Sequence, residues 1–151
     1  MIDRKRKRLE LLRRLREMGV EEARADHVAA QTELDERREQ ADGTENRLKA
    51  LDDWTVEQIA RGAPLIPEVL HQAGLYRGVE QLTLEEQRAQ EAESRDRTEA
   101  ARGVLTARFE ELSVVERLAT RHARVRTDEE IRSGFVALDE AGLQRKLGMK
   151  E

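Results

Sequence analysis

A chain of 151 residues with 40% charged, 3% aromatic and 38% hydrophobic residues, the last mostly Ala and Leu, lacks the bulky apolar material of a deep globular core. Two prolines and abundant Ala, Leu, Glu, Gln and Arg, all strong helix formers, argue for long helices or a coiled coil rather than disorder. The net charge of −4 is unevenly spread. Residues 1 to 16 carry Arg4, Lys5, Arg6, Lys7, Arg8, Arg13, Arg14 and Arg16 against Asp3 and Glu10, so the rest of the chain is acidic. The absence of cysteine excludes a disulfide framework, a thiol nucleophile and a cysteine-based metal site.

The basic start runs into Leu-Leu-Arg-Arg-Leu-Arg rather than an unbroken apolar region, so no signal peptide is expected. No run approaches the roughly 20 apolar residues of a membrane helix, and a cytoplasmic protein that is not integral to a membrane is expected. In the first arm, taken as about residues 3 to 61, Val20, Ala23, His27, Ala30, Leu34, Arg37, Ala41, Thr44, Leu48 and Leu51 recur at alternating steps of three and four. That is a heptad seam with small or polar residues where Leu would pack better. Leu9, Leu12 and Leu15 continue it at a different offset, which predicts a register shift near Gly19.

Arg61-Gly62-Ala63-Pro64-Leu65-Ile66-Pro67 holds both prolines and breaks the helix. Pro67 suits the first position of a short helix and Gly74 its end, so residues 62 to 78 are expected to form a cap. Leu75, Val79 and Leu82 are expected to restart the stripe. Residues 85 to 99 have almost no bulky apolar group and read as the weakest part of the seam. Ala101, Leu105, Arg108, Leu112, Val115, Ala119 and His122 recover the alternation, widened by Val104, Phe109 and Leu118, and the second arm is expected to zip most firmly there. This arm is taken as about 79 to 141, with Ile131, Phe135 and Leu138 continuing a helical stripe and residues 142 to 151 a loose tail. Arms of nearly equal length predict an all-α fold, a long antiparallel two-helix coiled-coil hairpin forming a single elongated domain. Each arm would reach roughly 90 Å at a helical rise of about 1.5 Å per residue, and a monomer is expected in isolation.

Such a hairpin offers no concave pocket for catalysis, and no enzymatic activity or cofactor is expected. Gly142 and Gly148 lack phosphate-loop spacing, with Met149 in place of the lysine. His27, His71 and His122 are far apart and read as seam, surface or tip residues rather than metal ligands. Carboxylate pairs such as Glu21-Glu22 and Glu85-Glu86 read as solvated faces. Two features stand out. Arg4 to Arg8 is either a solvated terminus or an electrostatic handle for an acidic partner. Nucleic acid is not expected, because the basic run lacks a base-reading Asn and the chain is acidic overall. Trp54, with Leu51, Ile59, Leu65, Ile66, Leu75, Tyr76 and Val79, is read first as a satellite core closing the hairpin. Its alternative is an exposed binding anchor.

Val115-Glu116-Arg117-Leu118-Ala119-Thr120-Arg121-His122-Ala123, followed by Ala137-Leu138-Asp139-Glu140, resembles the end of the type III secretion stalk family, called YscO in injectisomes and FliJ in flagella. Leu48-Lys49-Ala50-Leu51-Asp52-Asp53-Trp54 is similar to that family's apolar-then-aromatic segment before its bend. Arg117 stands where the family usually has lysine, and Gln58 where it often has a second aromatic. The resemblance implies a non-enzymatic central stalk at the cytoplasmic base of a secretion apparatus. It would bind the hexameric export ATPase through the end carrying both termini, with Arg4, Lys5, Arg6, Lys7, Arg8, Arg117, Arg121, Asp139 and Glu140 as contact candidates. Leu51, Trp54, Leu75, Val79 and Leu82 would face the cytoplasmic domain of the export gate, and secretion chaperones are further candidate partners. The alternative is a generic coiled-coil adaptor or chaperone escort without ATPase contact.

Overall fold

The computed structural model describes residues 2 to 62, 64 and 66 to 148. Two helices, α1 (Ile2–Ala60) and α2 (Pro67–Gly148), pack against each other as an antiparallel hairpin, with no strand among the described residues. The expectations for Ala63, Leu65 and residues 149 to 151 lie outside those described.

The link is shorter than the expected cap. Gly62 takes φ 64°, the left-handed conformation that glycine adopts without Cβ strain, and its N–H closes the last turn of α1 on the Ile59 carbonyl at 3.2 Å. The Ile66 carbonyl then accepts from the N–H groups of Val69 (3.0 Å) and Leu70 (3.2 Å), so Pro67 takes the first helical position, where its missing N–H costs nothing. From there α2 is continuous. Gly74 and Gly78 are helical, the expected cap over 67 to 78 is the first turns of α2, and the expected loose tail is helical to Gly148. Isolated glycines weaken a helix by about 1 kcal/mol each without having to end it. Arg145 and Lys146 in the last turn favour the helix dipole.

The chain divides into two compact units, one of residues 22 to 106 and one of residues 1 to 21 with 107 to 151. In the first, cross-helix pairs run antiparallel: Glu33 with Arg97 (3.3 Å), Arg37 with Gln90 (2.8 Å), Thr44 with Gln87 (2.6 Å), Arg47 with Glu80 (3.3 Å) and Asp52 with Arg77 (2.8 Å). The α1 seam is the expected one, with Ala23, Leu34, Ala41, Thr44 and Leu48 buried. The α2 side is not. Leu75, Val79 and Leu82 are exposed, and the half-buried or buried positions instead include Ala73, Glu80, Leu84, Gln87, Glu91, Ser94, Thr98, Ala101 and Leu105. The stretch expected to be weakest therefore supplies all the buried α2 residues of this unit, because small and hydrogen-bonded polar side chains pack closely across a narrow two-helix seam.

In the other unit, Val20 and Val115 are the buried residues. Arg16 donates to Glu111 at 2.9 Å across the helices, and Arg108 lies beside Gly19. The α1 seam here is Leu9, Leu12 and Arg16, then Gly19 and Val20, so the register shift falls at the expected place. Leu15 was expected on that face and is exposed, along with Leu11 and Met18. Leu112, Ala119 and His122 hold the α2 side half-buried, whereas Val104, Phe109 and Leu118, expected to widen the stripe, are exposed. Eight of the ten buried residues belong to the unit of residues 22 to 106, so the expectation that residues 101 to 122 zip most firmly is not met.

Candidate functional site: two interaction surfaces

Every side chain from residue 127 to 148 is exposed, and Glu130 is the last α2 residue to line a cleft shared with α1. That cleft, of about 330 Å³, is bounded by Arg6, Leu9, Glu10 and Arg13 on one helix and by Ala119, His122, Ala123, Arg126, Thr127 and Glu130 on the other. Beyond it α2 continues without a described residue of α1 beside it. All nine residues proposed for contact with an ATPase are exposed and belong to this unit: Arg4 to Arg8 on the first turns of α1, Arg117 and Arg121 midway along the α2 portion, and Asp139 and Glu140 on its extension. Arg117 reaches only its own helix, donating to the Ser113 carbonyl and hydroxyl at 3.4 Å. With Arg121 and Arg124 it borders a shallow groove floored by Val114 and Leu118.

The second set is not brought together. Leu51 is half-buried in the seam, whereas Leu75, Val79 and Leu82 form an exposed stripe on the far side of α2, 60%, 63% and 67% accessible. Trp54 is 38% exposed, and Ile59, Ile66 and Tyr76 are exposed as well. Among the described residues no satellite core forms around them, because two helices leave most directions round a side chain open to water. The exposure that the alternative reading required is observed.

The unit of residues 22 to 106 also holds a charged network that the sequence pattern did not reveal. Arg88 donates to Glu91 (2.7 Å), Asp42 (3.0 Å) and Glu45, and Glu91 also accepts from Arg38 (3.4 Å) and Arg95 (3.3 Å). The Arg88 hydrogen bond, with help from Arg38 and Arg95, holds the Glu91 carboxyl below the usual glutamate range against the opposing effect of burial. Asp52 is likewise lowered by its hydrogen bond from Arg77. These groups fasten one helix to the other and converge on no cavity.

Among the described residues no group of three or more His, Cys, Asp or Glu is placed to hold a metal ion, and no helix is long and apolar enough to cross a membrane. Sequence periodicity also missed a second exposed row on α1, Leu11, Leu15 and Met18, whose signal was its own spacing of four and three residues. No protein-family model matches the chain, and neither do any curated protein or solved structure.

Proposed function

We propose that the chain is the non-enzymatic stalk of a type III protein export apparatus, working at its cytoplasmic base and coupling a hexameric export ATPase to the export gate. The observation that carries this reading is the joining of both helix termini in one compact unit whose contact candidates are all exposed, with five consecutive basic residues on α1 and an unpaired stretch of α2 beside them. One hairpin meets only some of six equivalent subunits at a time, so it biases their nucleotide states unequally and promotes assembly or turnover. Arg4 to Arg8 supply the long-range attraction, and Arg117, Arg121, Asp139 and Glu140 the orientation. Toward the gate, Leu75, Val79 and Leu82 supply an accessible apolar stripe, with Trp54 as an aromatic anchor.

The test is binding of the full chain and of a variant lacking residues 1 to 16 to the hexameric ATPase, at low and high salt. Loss of affinity and of salt dependence on deletion is expected; unchanged binding at both salt concentrations would sink the assignment. The second reading, a coiled-coil adaptor without ATPase contact, draws on the spread of exposed apolar residues along both helices. It requires that the purified chain leave the ATPase's hydrolysis rate and hexamer assembly unchanged.

A further inference from the structure

We infer that the exposed outer face of α2 near its C-terminal end is a self-association site, where a second copy of this chain packs antiparallel against residues 128 to 145. Asp128, Ile131, Phe135, Leu138, Gly142 and Arg145 recur at steps of three, four, three, four and three, which places all six on one face of the helix. Ile131, Phe135 and Leu138 are 53%, 64% and 69% exposed, three large apolar groups in a row with nothing over them. At 3.6 residues per turn the row lies roughly 160° round α2 from the seam formed by Val115, Ala119, His122 and Arg126. A helix laid on it meets no part of α1.

The order of steps is the same read from either end, and that symmetry identifies the occupant. Turned antiparallel on itself, the row sets Phe135 against the second copy's Leu138, Ile131 against its Gly142 and Asp128 against its Arg145. Each contact occurs twice about a two-fold axis, as an isologous dimer requires. The apolar centre is flanked at both ends by an acid facing a base, and large faces small where Ile131 meets glycine. Beside the row, Arg132 comes opposite the second copy's Asp139, another pair of opposite sign. On the other flank Gly134 faces Ala141, small enough for close approach of the two helices. A parallel pairing does the reverse at the outer layers: Asp128 meets Asp128, Arg145 meets Arg145, and Gly142 on Gly142 leaves a void. Charge complementarity thus selects both the occupant and its direction. The overlap is about 27 Å long at 1.5 Å per residue, a contact of the small, reversible class. It goes beyond the stalk reading and does not depend on it.

Sedimentation of the full chain from low micromolar to about 1 mM protein tests this. A concentration-dependent monomer–dimer equilibrium is expected, against the monomer that a self-contained hairpin predicts. Phe135→Asp should abolish it. Asp128→Arg and Arg145→Asp, which set like charges together at both ends, should each raise the dimer dissociation constant by about tenfold or more, and the double exchange should restore it to near the wild-type value. All these positions are exposed, on a face of α2 turned away from α1, and unchanged melting of the hairpin in circular dichroism checks that the variants fold. A wild-type monomer throughout the range overturns the inference, and so does a dimer insensitive to Phe135→Asp. A dimer weakened by the single exchanges but not rescued by the double one rules out the antiparallel register.

Discussion

Thr44 is fully buried at a seam position where a coiled coil usually places Leu. Its hydroxyl lies 2.6 Å from the Gln87 side-chain oxygen on α2 and 3.2 Å from the Gln40 carbonyl one turn back, and it accepts from Arg47 at 3.0 Å. Thr44→Val keeps the shape and strands the Gln87 oxygen, so a loss of about 1 to 2 kcal/mol in urea unfolding is expected. Thr44→Val with Gln87→Leu removes both partners and should return to within about 0.5 kcal/mol of wild type. A double variant as damaged as the sum of the singles would mean that the hydrogen bond itself, rather than the orphaned group, carries the stability. Glu91 gives a pH signature. Its carboxyl is lowered in the folded state, so its stabilisation is complete above the ordinary glutamate pKa of about 4.3 and is lost as pH falls through the lower folded value. Glu91→Gln should therefore lower the urea midpoint at pH 7, and the gap from wild type should close below about pH 4. A gap independent of pH would assign the effect to packing.

At the scale of the element, the register and the hairpin were legible in α1 because its seam residues keep the three-four alternation whether they are Leu, Ala or Thr. The second helix was harder to read. Its seam passes through Glu80, Gln87, Glu91, Ser94 and Thr98, whereas its larger side chains Leu75, Val79 and Leu82 face water, so a search for apolar residues picks out the wrong face. Glycine misled in the same way. Gly74 and Gly78 look like punctuation, yet both are helical and a Cβ at either meets nothing within 4 Å. Gly78→Ala should stabilise the hairpin by about 0.5 to 1 kcal/mol, since the helix is already formed there and alanine gives up less chain entropy. Destabilisation in thermal melts would show that residue 78 needs a conformation other than helix.

For the whole molecule, burial is concentrated in the unit of residues 22 to 106, and residues 127 to 148 include no buried side chain. Hydrogen exchange should follow: slowest at Leu34 to Leu48 and Glu91 to Thr98, faster around Val20 and Val115, and fastest over residues 127 to 148, because an isolated helix of that length is marginal in water. Protection of the extension that rises with protein concentration is the further mark of its association with a second copy. Equal protection along both helices would remove the distinction. The sequence by itself determined that the chain is two long helices broken at one glycine-proline bend, because helix propensity, seam spacing and the φ demands of Gly62 and Pro67 are local. Only the tertiary structure decided which α2 face meets α1. Two helices enclose a single narrow seam in which small and hydrogen-bonded groups pack closely, and several large apolar side chains, Phe135 among them, are left exposed outside it.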